Sequence, residues 1–371
     1  MYAQGSKSVD PFVAAFGNPL LDLCVIINDS EILNKYGLQF DGQAEITEEE
    51  LGIVDDIRVR YSPQYSAGGA AQNSLRVFQW LVREPFKSVY FGGIGTDDRG
   101  ALLERLVKDA GVSTRYSYNP GYPTGTCIAL INGEHRSLVA HIGAATKYDG
   151  SLLDSKDVTK LLERIKVLYI EGFFLTHSFP VCVRLIEICK VNKIPLIFNL
   201  SAPYVCESHT HEVTELVKGA NIIFGNSAEF YSLAKQLNIK NSSLKDIVVK
   251  LRENFNNSLD ESKLQHCDVS QILKEGKLII ATQGKNSVIC VYGKTNTVLE
   301  VKVVEMDLSQ VKDTTGAGDS FVAGVLAGIF HNCSLETCIH LGCWAAQEII
   351  KQIGCTVPPY PPDGARKFLE G

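Results

Sequence analysis

The run Asp313-Thr314-Thr315-Gly316-Ala317-Gly318-Asp319 leads straight into the apolar stretch Ser320-Phe321-Val322-Ala323-Gly324. Small residues at the mouth of a helix leave backbone N–H groups uncovered, and the helix dipole adds partial positive charge, so an anion can dock there. Asp319 in the first turn would repel that anion. If it faces a hydroxyl instead, the carboxylate can take the proton as the hydroxyl attacks a phosphoryl group. A plain helix start capped by Asp fits the spacing equally well. Gly68-Gly69 before Ala70-Ala71-Gln72-Asn73-Ser74 is a second place where main chain can approach a ligand closely or bend as a hinge.

Two rival phosphate loops fail on their own residues. Gly293-Lys294-Thr295 has Val288 where a P-loop needs its first glycine, so it reads as a turn. Gly93-Ile94-Gly95 follows an apolar run, but Asp98 stands at the third glycine of a dinucleotide fingerprint, which counts against NAD.

These residues need elements to hold them. Short apolar runs at 12–17, 88–95, 167–174, 195–201, 221–226 and 277–284 read as strands, and they alternate with amphipathic stretches such as 98–111. Two helices, about 318–331 and 334–351, close the chain. The pattern predicts an α/β protein with a mostly parallel central sheet. Polar and glycine residues gather where the strands stop: Asn18 and Asp22, Gly92 to Asp97, Glu171 to Phe174, Asn199 to Ser201, Asn226 to Glu229, and Thr282 to Gly284. The carboxyl ends of parallel strands form the ligand crevice of such sheets, so these residues point to one site there. Segments 20–66 and 121–146 break the rhythm, the second with a hairpin expected to turn on Asn132-Gly133, and read as a small inserted β-rich subdomain. Segment 253–276 reads as a polar surface loop with one short helix.

Composition narrows the classes. With 371 residues, 45% of them hydrophobic, the chain can bury one large core or two ordinary ones. Its formal net charge of -6 disfavours nucleic acid or an anionic membrane as the main partner. The first residues, MYAQGSKSVDP, lack the apolar core of a secretory signal, and no unbroken apolar run reaches membrane-helix length. Eleven cysteines without a CxxC pair argue against a disulfide framework or zinc cluster, so the expected compartment is the reducing cytoplasm, with the nucleus open.

Taken together, Gly68-Gly69 leading to Asn73, Asn226-Ser227-Ala228-Glu229, and Asp313 to Asp319 resemble the three signatures of the ribokinase-like (PfkB) carbohydrate and nucleoside kinases. Gly17-Asn18-Pro19-Leu20-Leu21-Asp22, Pro123 to Cys127, Arg136-Ser137-Leu138, Gly172 to Thr176, Asn199 to Pro203 and Gly354-Cys355-Thr356 are similar to its adenosine-phosphorylating members. The likeness runs in order over residues 12 to 361.

The resemblance implies a ribokinase-like three-layer sandwich with a small α/β lid: residues 1–19, 67–120 and 147–371 as the large domain, 20–66 and 121–146 as the lid. It implies transfer of the ATP γ-phosphoryl group to the 5′-hydroxyl of adenosine, giving AMP and ADP in purine salvage. Asp319 would be the base, the N–H groups of Gly316, Ala317 and Gly318 the anion hole, and Arg136 a lid cation closing on the phosphates. Asn226 and Glu229 would organise Mg²⁺ through water, while Thr282, Gly284 and Thr314 join Gly316 and Gly318 around the nucleotide. Asn18, Asp22, Gly68, Gly69 and Asn73 would hold the sugar; Leu20, Cys127, Leu138, Ala140 and Phe174 would wall the adenine, with Gln43 as a polar contact. Some members also use a monovalent cation such as K⁺. The expected partners are adenosine and ATP, with no nucleic acid or membrane, and the chain is expected to be a monomer. Thr315, Tyr204, Glu45 and Cys343 depart from the pattern, which leaves donor preference and base selectivity open. Another nucleoside or sugar kinase of the family, or a nucleoside sensor without catalysis, is the alternative.

Overall fold

Strands that are apolar on both faces have to lie between two layers of helices. The computed structural model, which describes residues 10–28, 30–38, 42–132, 135–240, 243–259, 262–264 and 267–369 apart from the side chains of Gln43, His135 and Arg136, shows this arrangement. In chain order the strands are β1 (Val13–Phe16), β2 (Leu20–Ile26), β3 (Gln43–Glu45), β4 (Gln64–Gly68), β5 (Ser88–Ile94), β6 (Ser113–Tyr118), β7 (Thr126–Asn132), β8 (His135–His141), β9 (Val167–Glu171), β10 (Leu196–Asn199), β11 (Ile222–Asn226), β12 (Leu278–Gln283), β13 (Asn286–Tyr292) and β14 (Thr297–Val301). Nine of them form one sheet in the order β14-β13-β12-β11-β10-β9-β1-β5-β6. The strands from β6 through β12 pair in parallel, and β13 and β14 add an antiparallel edge. Alternate residues feed opposite cores: Val13 and Ala15 pack on one face, Ala14 and Phe16 on the other. The fold is therefore the expected α/β/α sandwich with a mostly parallel sheet.

The other five strands form a second sheet, β3-β8-β7-β2-β4. β7 and β8 pair antiparallel from Thr126↔His141 to Asn132↔His135, and the residue expected to turn that hairpin, Gly133, lies outside the described residues. β2 pairs antiparallel with β4, setting Leu20 opposite Gly68, and in parallel with β7, setting Asp22 opposite Cys127.

Several elements differ from expectation. The run 167–174 is a strand only to Glu171, because a helix begins at Gly172. The polar sequence STRYSY of β6 hides a strand whose Thr114 and Tyr116 are buried. Segment 253–276 is less superficial than its polarity suggested: Leu264, Cys267, Val269, Ile272 and Leu273 are buried, the last three of these being on or beside the helix Asp268–Lys274. The helix Gly172–Asn192 is long and apolar enough to cross a membrane by length and composition, although polar residues interrupt its apolar run. It is broken at Ser178 (φ -127, ψ 31), two residues before Pro180, and packs Phe174, Leu175, Val181, Cys182, Leu185 and Cys189 into the core.

Two helices bring the sequence motifs to the carboxyl ends of the strands. Ala70–Val82 packs against Ala317–Phe330, which in turn packs on Leu335–Ile349 so closely that a Cβ at Gly324 would lie 2.5 Å from the Gly342 Cα.

Candidate active site

The mouth of the helix Ala317–Phe330 is shaped by Asp313. Its Oδ1 accepts from the Thr315 N–H at 2.9 Å and the Thr315 hydroxyl at 2.6 Å, while Oδ2 accepts from the Gly354 N–H at 2.8 Å. The turn therefore folds against residues 354–355. Gly316 sits at φ +74, and a Cβ there would come within 2.5 Å of the Cys355 side chain, so the position needs glycine on both counts. Among the described residues no side chain caps this helix, whose N-cap is Gly316, so Asp319 is not its capping residue. Of the three N–H groups expected to face an anion, that of Ala317 donates to the Thr314 carbonyl at 3.2 Å. Gly316, Ala317, Gly318 and Asp319 line a cavity of about 260 Å³ together with Asn226, Glu229, Thr282 and Thr314.

A second cavity, about 490 Å³, opens on the other side of Asp319. At its polar end Asp22 is buried, and a Cβ at Gly68 would overlap its carboxylate, so Gly68 backs Asp22 without lining the cavity itself. Burial pushes the Asp22 carboxyl up to about 7, with Arg76 working against the rise and Asp319 and Asp313 adding to it. Asn18 donates its main-chain N–H to Glu171 Oε1 at 2.6 Å and its amide Nδ2 to the Phe173 carbonyl at 3.0 Å. Its buried Oδ1 has no hydrogen-bond partner among the described residues, and Asn18 lines the cavity. Asn73 donates to Asp319 Oδ2 at 3.0 Å and accepts from Arg76 at 3.1 Å. Burial lifts Asp319 to about 7, and the Asn73 hydrogen bond holds it from rising further.

Leu20, Gly69, Asn73, Cys127, Leu138 and Ala140 line this cavity, as do Asn18, Asp22 and Asp319. Phe174 does not. It is fully buried among Phe16 and Tyr148, and Phe173 lines both cavities in its place. Because a helix starts at Gly172, successive side chains diverge by about 100°, and only one of the pair can face the ligand space. Gly284 sits exposed in the turn between β12 and β13 and lines neither cavity. The side chains of Gln43 and Arg136 lie outside the described residues, although their backbones belong to β3 and β8. Glu171, named only for its place at a strand end, Thr176, named only in the stretch of likeness, and His177, which no sequence signal marked, also line the larger cavity. Glu171 accepts main-chain N–H groups from Asn18 and Ala71, and burial pushes it up to about 8. Its position at a strand end was the available signal; its partners, far along the chain, were not.

Glu229 and Asn226 form a reciprocal cap. Glu229 Oε2 accepts from the Asn226 N–H at 2.8 Å and Oε1 from its Nδ2 at 2.6 Å, while the Glu229 N–H donates to Asn226 Oδ1 at 3.0 Å. Burial raises this carboxyl to about 7. Among the described residues no group of three or more His, Cys, Asp or Glu side chains could hold a metal ion. With both oxygens of Glu229 engaged, the pair suits a cation that keeps its water shell and takes its other ligands from phosphates.

The two cavities share Ala70, Leu138, Phe173, Thr315 and Asp319, so a single carboxylate stands at the junction between a helix mouth and a largely apolar compartment. Residues 44–362 match the pfkB family carbohydrate kinases. The chain belongs to that family. This pfkB kinase is 31% identical to adenosine kinase 1 of Arabidopsis thaliana over 361 residues, 96% of this chain and 98% of that protein. Among solved structures it is similar to Anopheles gambiae adenosine kinase in complex with P1,P4-di(adenosine-5) tetraphosphate, with TM-score 0.81 and 31% identity over 95% of this chain and 100% of that one. Schistosoma mansoni adenosine kinase in complex with 2-fluoroadenosine gives TM-score 0.83 and 27% identity over 94% and 98%. The chain is thus an ATP-dependent kinase acting on a hydroxyl group.

Proposed function

We propose that this pfkB kinase transfers the γ-phosphoryl group of ATP to the 5′-hydroxyl of adenosine, giving AMP and ADP. The observation that carries this reading is the position of Asp319 where the two cavities meet. Adenosine occupies the larger compartment. Asp22 accepts hydrogen bonds from neighbouring ribose hydroxyls, and Asn18 beside it completes the sugar contacts, which suits a ligand rich in hydroxyl groups. Leu20, Cys127, Leu138, Ala140 and Phe173 offer the base apolar walls larger than a free sugar requires, which favours a nucleoside over a monosaccharide.

The 5′-hydroxyl then lies beside Asp319. A carboxylate lifted to about 7 is matched to accepting a proton near neutral pH. The helix mouth at Gly316 and Gly318, with the Ala317 N–H turned to the Thr314 carbonyl, stabilises the charge on the transferred group. Closure of the five-stranded sheet brings Arg136 over the phosphates and excludes water, which is what phosphoryl transfer chiefly needs. Thr282 and Thr314 contact the donor nucleotide from the smaller cavity. Mg²⁺, held through water by Asn226 and Glu229, would neutralise phosphate charge when bound. The same reading makes the chain a monomer of the cytoplasm or nucleus, with sedimentation and cell fractionation as the checks.

A phosphoryl-transfer screen with Mg-ATP, with and without K⁺, tests the proposal on adenosine, inosine, ribose and fructose in parallel. Adenosine is expected to give the highest kcat/KM; a free sugar turned over as well as adenosine, or no turnover at all, contradicts it.

A further inference from the structure

The larger cavity is apolar along most of its length, but its end remote from Asp22 and Asp319 is not. Glu45 on β3, His177 on the helix Gly172–Asn192 and Tyr204 following β10 meet there. They come from different parts of the fold: β3 lies in the five-stranded sheet, opposite Ala140 of β8, and His177 and Tyr204 in the sandwich. Glu45 Oε1 stands 3.9 Å from His177 Nε2, with side-chain exposures of 54% and 32%. That separation is beyond hydrogen-bond range, so neither group is used up by the other. Burial lowers the His177 value against the pull of Glu45, with His209 and Lys147 adding to the fall, which keeps a neutral ring with one donor and one acceptor at pH 7. The Tyr204 ring lies 6.1 Å from the Phe173 ring and is tilted 35° to it, extending the aromatic lining toward Glu45.

This inference rests on the nucleoside reading above. With the ribose held at Asp22 and Asn18 and its primary alcohol at Asp319, the base must run along Leu138, Ala140 and Phe173, and its outer edge arrives at the polar end. We propose that Glu45 reads that edge, accepting a hydrogen bond from a ring or exocyclic N–H of the purine while His177 donates to the neighbouring ring nitrogen. The substrate class is then a purine nucleoside whose outer edge presents an N–H donor, as the 6-amino group of adenine does. Glu45 is a specificity-determining residue: a site built to accept a hydrogen bond rejects an analogue that lacks the donor.

Adenosine and purine riboside, which differ only in the 6-amino group, test this on the full chain with Mg-ATP. The wild type is expected to favour adenosine in kcat/KM by about tenfold, the modest size reflecting a half-exposed carboxylate. Glu45→Leu and Glu45→Ala are expected to bring the ratio to within about twofold, chiefly through KM for adenosine. Glu45→Gln, which keeps an acceptor oxygen, is expected to retain most of it. A ratio that does not move in the Leu and Ala variants, a wild type that does not discriminate, or an equal loss for both nucleosides overturns the proposal. A wild type that phosphorylates neither nucleoside overturns the adenosine reading on which this rests, whereas adenosine turnover with an unmoved ratio removes only the role of Glu45.

Discussion

Burial favours a neutral carboxyl at Asp22 and at Asp319, with Arg76 and Asn73 respectively working against it, and each is expected to act through its ionised form. Asp22→Ala should raise KM for adenosine by about two orders of magnitude, since charged hydrogen bonds to two hydroxyls go at once. KM for ATP should stay within about threefold because the nucleotide lies on the far side of Asp319. Calorimetry with each ligand alone checks this split. Because Asp319 must be ionised to take a proton and its value stands near 7, kcat/KM for adenosine should fall as pH drops through about 7 and level off above 8. A profile flat from pH 6 to 8 would count against that role. At this scale the sequence shows which residue types sit at strand ends and at the helix mouth, but not their partners. Asn73 reaches Asp319 across 246 residues of chain, and the choice between Phe173 and Phe174 depends on where one helix begins.

The element that matters most is the turn from Asp313 to Gly316 with the helix it starts. Gly316→Ala places a side chain at φ +74 against Cys355, at a cost of about 1–2 kcal/mol for the backbone alone. The displaced N–H groups should lower kcat by about tenfold to a hundredfold with little change in adenosine affinity; single-turnover rates and a thermal melt separate the two effects. Parallel strands buried on both faces announce themselves as apolar runs, which is why β1, β5, β9, β10, β11 and β12 could be read directly. β6 could not, because STRYSY alternates polar residues with an aromatic and only Thr114 and Tyr116 turn inward. The apolar character of Gly172–Asn192 likewise says nothing by itself about whether neighbours or lipid cover it; the break at Ser178 and its buried face tie it to the core.

Across the whole molecule, Asp22, Glu171, Glu229 and Asp319 gather at one end of the sheet with values raised by burial to about 7 or 8. Ordinary carboxyls titrate near 4, so the folded protein holds protons there that the unfolded chain has lost. The stability these groups contribute is complete below about pH 4 and is lost as pH rises through about 8. The buried His141 and the partly exposed His177 and His331, all lowered from their ordinary values, act in the opposite sense only below about 6.5. The buried Lys277, pushed down to about 7, offsets part of the loss from the four carboxyls above that pH. The ligand-free protein should therefore melt at a lower temperature at pH 8.5 than at 6.5, and Glu171→Gln should flatten that slope; a Tm that climbs over this interval contradicts the account. That these acids meet at one site was legible from the strand ends and the family resemblance, but their proton content was not, because it depends on burial that no sequence pattern shows.

The most direct measurement is the steady-state rate of Asp319→Asn with saturating adenosine and Mg-ATP, alongside its adenosine dissociation constant. The account predicts turnover reduced by about 10²- to 10⁴-fold with nucleoside affinity changed by no more than a few-fold. Turnover equal to that of the wild-type chain would show that another group receives the proton and would contradict it.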